Sequence, residues 1–259
     1  MFVVDDNEPN DEYSLNVQQV LKSVEDSRLK YIQQKKHING AVARNVGIKA
    51  ANGEYVAFLD DDDEWLPAKI ERQVDFIKTS GVDATACYYT LYKKGELDRR
   101  GPKYNDDNLI TDILSRSIQV MAGSCFICKK KCIAQSGMFD ESLLRHQDLQ
   151  MLVDFLNKSS MKVLKEYIVI IHEDSTKNHP TTEALIDIKR TFFKSMKPRM
   201  KQLSKDERKR IYDAHYFEIV VRAVRERKMH IAFQYLAKIG FSPQAYRDVY
   251  ERYKSRKNV

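Results

Sequence analysis

Four consecutive carboxylates, Asp60-Asp61-Asp62-Asp63, are the most chemically loaded stretch of this chain. Adjacent carboxylates repel one another, and a divalent cation removes that penalty. Hard cations such as Mg²⁺ or Mn²⁺ take carboxylate oxygens and commonly bridge to substrate phosphates. In an extended turn Asp60 and Asp62 point to similar sides. The bland alternative is a solvated acidic turn. A second acidic pair, Asp5-Asp6, closes the apolar run Phe2-Val3-Val4. The run Cys125-x2-Cys128-x3-Cys132 invites a zinc reading, but no fourth ligand at matching spacing follows, and reduced structural cysteines are the better reading.

The elements that must position these groups follow from periodicity. Phe2–Val4, Leu29–Gln33, Tyr55–Leu59, Ala84–Tyr92, Ser124–Cys128 and Lys162–Ile171 read as strands. Helical spacing links Val17, Val20, Leu21 and Val24. A second helix runs from Gly40, with Gly53 as its left-handed stop, and a third follows Pro67 and ends at Gly81. Short helices are expected around Ile110–Leu114 and over Leu149–Leu156, the latter beginning just after Asp148. Lys129-Lys130-Lys131 reads as a solvated turn. Strands alternating with helices predict an α/β sheet, whose ligands bind beyond the carboxyl ends of the strands. Both acid clusters fall at that edge. From Thr181 the pattern is helical, with Ile211, Ala214, Phe217, Val221 and Val224 on one face.

The chain has 259 residues, 42% hydrophobic and 31% charged, enough for a packed core. No apolar run is long enough to span a bilayer and no signal peptide is visible, so the expected compartment is the cytoplasm. Net charge is +7 and unevenly spread. From Thr181 onward there are 20 Lys+Arg and 9 Asp+Glu, a net of +11, against 24 and 28 in residues 1–180, a net of −4. A basic helical region at 181–259 thus follows an acidic domain at 1–180. It suits an anionic partner, with peripheral contact at the inner face of a membrane as the expectation and a solvated helical face as the alternative. No nucleic-acid motif accompanies it.

The order of motifs resembles glycosyltransferase family 2. The resemblance is carried by Val3-Val4-Asp5-Asp6-Asn7, by Ala43-Arg44-Asn45, and by Gly53-Glu54-Tyr55-Val56-Ala57-Phe58-Leu59-Asp60-Asp61-Asp62-Asp63-Glu64-Trp65. It continues in Gly137-Met138-Phe139-Asp140-Glu141-Ser142-Leu143 and Gln147-Asp148, covering about residues 1–175. It implies a GT-A fold (a Rossmann-like mixed sheet flanked by helices), here with a C-terminal helical extension, and inverting transfer from a nucleotide-sugar donor, most commonly UDP-linked, to a saccharide or lipid-linked acceptor. It also implies roles: Asp5, Asp6, Arg44 and Asp60 toward the nucleotide, Asp62 and His172 toward Mn²⁺ or Mg²⁺, and Asp148 as general base. A helix N-cap is the structural alternative for Asp148. A helix N-terminus favours the anion, so Asp148 is expected to act by position rather than through a raised pKa. Arg145, Gln147 and Trp65 are acceptor-side candidates, with a surface role for Arg145 and packing at a helix entrance for Trp65 as alternatives.

Family members carry a strand and helix ahead of the Val3-Val4-Asp5-Asp6 segment, whereas Met1 here stands directly before Phe2. The expectation is a sheet lacking an inner strand. A metal-dependent phosphoryl-transfer enzyme and a non-catalytic nucleotide- or partner-binding module are the competing readings.

Overall fold

The computed structural model describes residues 1–100, 108–116, 123–173, 180–243 and 246–247. The residues between these ranges lie outside the described ones, as does the end of the expected basic helical region from 248 onward.

The chain is a mixed α/β fold. Two strands, β1 (Phe2–Asp5) and β2 (Lys30–Gln33), pair in parallel as one small sheet joined by α1 (Glu12–Lys22). The second sheet contains β3 (Tyr55–Ala57), β4 (Asp63–Trp65), β5 (Ala84–Lys93), β6 (Glu96–Arg100), β7 (Phe126–Lys129) and β8 (Met161–Glu173). Its order is β3-β7-β5-β8-β4, with β6 pairing to the far half of β5. Among its described strands only β5 and β8 pair in parallel. Its helices are α2 (Gly40–Ala50), α3 (Lys69–Ser80), α4 (Leu109–Leu114), α5 (Lys130–Ser136) and α6 (Gln147–Leu156). They are followed by α7 (Thr182–Met200), α8 (Lys205–Arg225) and α9 (Met229–Ile239).

Local chemistry explains most helix starts. Asn39 caps α2 by accepting from the amides of Ala41 and Val42. Ser204 and Glu207 form a reciprocal capping box on α8. Gly81 ends α3 in the left-handed conformation, as predicted. Gly53 does not play that part: α2 stops at Ala50 because Ala51 turns extended, and Gly53 has no positive φ.

One core joins sheet and helices. Phe126, Phe155, Val56, Ile48 and Ile113 pack with Phe192, Met196 and Ile211 from α7 and α8. The C-terminal helices therefore help to build the main core. Burying an aromatic or aliphatic side chain of this size contributes roughly 1.5–3 kcal/mol, which anchors α7 and α8 firmly. A smaller cluster, including Ile219, Ala223, Ala232 and Tyr235, joins α8 to α9. The buried face of α8 differs from the predicted one. Ile211 and Ala214 are buried, but Val221 and Val224 are exposed, and Ile219, Val220 and Ala223 face inward instead. Ile219, Val220 and Ala223 pack against Ala232, Tyr235 and Ile239 of α9, with Leu185 and Ile186 of α7 beside them.

The four cysteines are free and buried. Lys129-Lys130-Lys131 is no solvated turn. It enters α5, where Lys129 pairs with Asp83 at 3.0 Å and Lys130 bonds the carbonyl of Ala51.

Candidate active site

The acid run is not an open loop. β3 ends at Ala57, the chain turns at Asp60 with Asp63 N donating to Asp60 O at 3.1 Å, and Asp63 starts β4 against β8. Ser124 fastens both ends of this turn. Its hydroxyl accepts from Asp60 N at 3.0 Å and donates to Asp63 Oδ2 at 2.5 Å. Burial, aided by the charges of Asp62 and Asp60, pushes the Asp63 carboxyl up to about 6. Asp62 is exposed and makes no hydrogen bond or ion pair among the described residues.

α2 supplies Arg44, which donates to Asp60 Oδ1 at 2.7 Å. The next residue faces the other way. Asn45 donates to the Phe139 carbonyl and to Glu141 Oε1, both at 2.9 Å, and accepts from Phe139 N at 3.1 Å. One helical turn thus sends a cation to the acid turn and an amide to the Met138–Leu143 loop. This gives the Ala43-Arg44-Asn45 triplet a physical reason. Phe139, held there, lies under the Arg44 guanidinium at 5.7 Å.

These segments meet the start of α6 around a cavity of about 120 Å³ lined by Arg44, Asp60, Gly123, Phe139, His146, Gln147 and Asp148. Four predicted site residues, Arg44, Asp60, Gln147 and Asp148, therefore share one cavity although more than 100 positions separate the extremes. Gly123 is required by close approach: a Cβ there would stand 2.5 Å from Asp60 Oδ2. A larger groove of about 420 Å³ lies between α4 and α8. Its polar groups are tied to one another, Thr111 to Glu207, Arg210 to Asp112 and Lys209 to Asp213, which leaves it little chemistry to offer.

Asp148 sits inside the first turn of α6, and His146 holds the N-cap position, so the N-cap alternative for Asp148 does not hold. Its pKa is also raised, contrary to the expectation from a helix N-terminus. Desolvation dominates, opposed by the Leu149 amide and by the charges of Arg116 and Arg44. Burial outweighs the helix end because the penalty for removing a carboxylate from water exceeds a helix-end attraction of about 1 kcal/mol.

The other predicted residues lie elsewhere. Asp5 is buried and accepts from Tyr31 at 2.7 Å and twice from Asn7. Burial alone would raise its pKa, but these hydrogen bonds bring it below the usual value. Asp6 fastens the following loop, accepting from Gln34 Nε2 at 2.7 Å and Ile38 N at 3.1 Å. His172 pairs with Glu64 at 2.8 Å across β4 and β8. The Trp65 indole donates to the Ser124 carbonyl at 2.7 Å, its ring lies 3.8 Å from Lys69 Nζ, and it is not among the cavity's lining residues. Arg145 is exposed and is not among the cavity's lining residues. Sequence reasoning missed Ser124 and Gly123, whose only signal is their place before a strand that begins beside the acids.

Residues 1–136 match the sequence profile of Glycosyl transferase family 2, over half of the chain. This chain belongs to glycosyltransferase family 2. The family 2 chain is 32% identical over 93 residues to the UDP-Glc:alpha-D-GlcNAc-diphosphoundecaprenol beta-1,3-glucosyltransferase WfaP of Escherichia coli, covering 36% of this chain and 35% of that protein. It is 27% identical over 187 residues to the poly(ribitol-phosphate) beta-N-acetylglucosaminyltransferase TarP of Staphylococcus aureus, covering 69% and 55%. Among solved structures, S. aureus TarS 1-349 in complex with UDP-GlcNAc superposes with a TM-score of 0.55 at 16% identity, covering 98% of this chain and 78% of that one. The shared architecture is that of GT-A glycosyltransferases. The chain spans about a third to just over half the length of these two curated relatives.

Proposed function

We propose that this chain transfers a sugar from a UDP-linked donor to a hydroxyl of a saccharide or lipid-linked saccharide, with inversion at the anomeric carbon. The observation that carries this reading is the convergence of Arg44, Asp60 and Asp148 on one cavity. Asp148 takes the acceptor hydroxyl's proton as that oxygen bonds to the anomeric carbon and the bond to the diphosphate oxygen breaks. A raised pKa makes it a stronger base than an ordinary aspartate. Arg44 is already aimed at an anionic oxygen, that of Asp60, and a diphosphate offers it the same chemistry. The similarity to WfaP, a UDP-Glc:alpha-D-GlcNAc-diphosphoundecaprenol glucosyltransferase, supports both donor and acceptor classes.

The residues present fit Mn²⁺ or Mg²⁺. Asp62 is an unpartnered, exposed carboxylate, and Asp60 and Asp63 crowd charge beside it. Asp62, with donor oxygens and water completing the shell, would hold such a cation. His172 joins such a set only by exchanging Glu64. A cation held there supplies charge neutralisation for the departing diphosphate.

The basic C-terminal region supports a further part of the reading, peripheral contact with anionic lipid at the inner face of the membrane. Val221, Val224, Met229 and Phe233 are exposed around the turn joining α8 to α9, beside the exposed Arg225 and Arg227. Apolar insertion with basic flanks is the chemistry of an anionic bilayer surface. No described helix is long and apolar enough to cross a membrane.

Thermal-shift titration with UDP, GDP and dTDP, each with and without Mn²⁺, tests the donor site. A metal-dependent shift for one nucleotide, lost in Asp62→Ala, is the expected result. No shift with any nucleotide, in a folded sample, overturns the reading.

A further inference from the structure

His146 begins α6 in a conformation few residues other than glycine adopt, φ 64°, and without a side-chain cap. Its position is set from outside the helix. Lys189 Nζ, on α7 and almost fully buried, lies 2.9 Å from His146 Nε2. The same ammonium donates to Glu218 Oε2 on α8 at 2.5 Å. The other oxygen of Glu218 meets Arg116 Nη1, just beyond α4, at 2.5 Å. The imidazole is wedged edge-on against Phe192 and His215, with ring centroids 5.1 and 5.5 Å away. Three segments remote in sequence thus grip one ring two residues before Asp148.

The direction of the Lys189 bond carries a consequence. An ammonium has three donors and no acceptor, and the Glu218 contact keeps Lys189 an ammonium. Nε2 of His146 must therefore accept, which leaves the ring's proton on Nδ1. Nδ1 has no partner among the described residues, and His146 lines the same cavity as Arg44, Asp60 and Asp148.

Resting on the transferase reading above, we propose that His146 is a sugar-binding residue. Its Nδ1–H donates to a hydroxyl of the sugar held between Arg44 and Asp148, and Lys189 is the positioning residue that fixes this tautomer. The C-terminal helices are then part of the donor-sugar site. The charged and titratable groups around the ring are Lys189 on α7, Glu218 and His215 on α8, and Arg116 after α4, with Asp148 on its own helix. Burial, followed by the Lys189 and Arg116 charges, keeps the imidazole neutral well below its ordinary range.

Two measurements test this separately from the transferase reading. Histidine side-chain nitrogen NMR on the full chain, without substrate, is expected to show His146 as the Nδ1–H tautomer, unchanged from pH 8 to 5.5. In Lys189→Met, which removes the donor facing Nε2, the Nε2–H tautomer is expected to appear, and Lys189→Arg restores the wild-type signal. In wild type, an Nε2–H tautomer, or titration near the ordinary histidine value, overturns the proposal. Isothermal titration with Mn²⁺ then compares UDP with UDP-GlcNAc and UDP-glucose. His146→Asn, which tolerates the left-handed backbone, is expected to weaken at least one UDP-sugar by about five- to tenfold, the loss of one hydrogen bond, and to leave UDP unchanged. Equal effects on UDP and both UDP-sugars overturn it. Absence of UDP binding in wild type rejects the donor site, and sugar binding by His146 with it. The tautomer result is read without either.

Discussion

Arg44 on α2 and Asp60 in the turn between β3 and β4 neutralise each other across 2.7 Å at the wall of the cavity. Each is about a third exposed, so the pair is neither sealed nor free. Such a pair is worth little to stability but places a guanidinium where an anion can displace a carboxylate. Arg44→Ala is expected to weaken metal-dependent UDP binding by roughly tenfold or more, the scale of a charge-assisted hydrogen bond, while shifting the melting temperature by no more than a degree or two. Calorimetric titration and a melt of the same sample check both halves.

The approach of Gly123 to Asp60 predicts a sharper effect from a smaller change. A methyl at 123 would meet Asp60 Oδ2 at 2.5 Å, inside any real contact. Gly123→Ala should leave secondary structure intact, because Gly123 has no positive φ, yet reduce UDP-sugar turnover at least tenfold. Normal turnover in the alanine variant contradicts the placement of Asp60 in the reaction.

Asp148→Asn separates base from scaffold. Transfer is expected to fall by a factor of about 10² or more, with the nucleotide-induced thermal shift retained. A pH effect follows from the raised pKa. The protonated form is favoured in the fold, so this residue's contribution to stability is full below the ordinary aspartate value of 3.8 and is lost as pH rises through the elevated folded value. The asparagine variant should accordingly melt higher than wild type at pH 8, with the gap closing toward pH 4. A gap that widens on acidification contradicts the buried environment assigned to Asp148.

Lys69 gives an independent check on packing. It is fully buried, its Nζ has no hydrogen-bond partner, and it lies 3.8 Å from the Trp65 ring centroid. Burial lowers its pKa from 10.5 to about 8. A depressed lysine contributes most above pH 10.5 and loses that contribution as pH falls to 8, so the cost is fully present at neutral pH. Lys69→Met is expected to stabilise the fold at pH 7 by on the order of 1–3 kcal/mol, read by denaturant titration, with the advantage vanishing near pH 10.5.

The exposed apolar residues around the α8–α9 turn predict lipid selectivity. Co-sedimentation with vesicles containing anionic lipid is expected at low salt, with little binding to purely zwitterionic vesicles. Phe233→Ser together with Arg225→Glu should abolish it without touching UDP binding. Equal binding to both vesicle types argues against the proposed surface.

Much of the fold was legible from local pattern alone. Every predicted strand has its counterpart, and α2, α3, α4 and α6 begin or end within a few residues of where capping and periodicity place them. The misses share a cause. β4 was invisible because Asp63-Glu64-Trp65 has no strand signature and is extended only by pairing with β8. The Tyr55–Leu59 strand ends at Ala57 because the chain must turn toward Ser124. The buried side of α8 was misjudged because it depends on which neighbours cover it.

The sequence by itself determined the chemistry available: acids at strand ends, Arg44 beside Asn45, and Asp148 at a helix start, all in the order that marks the family. These are matters of residue type and spacing, which local sterics and hydrogen bonding express directly. Tertiary structure alone decided which of them meet. It brought Arg44, Asp60 and Asp148 to one cavity and left Asp62 in solvent. It raised the pKa of Asp148, where the helix start predicted none, and it placed Lys189 and Glu218 behind His146. Desolvation and long-range contact are properties of the packed chain, since burial depends on every element that closes over a group.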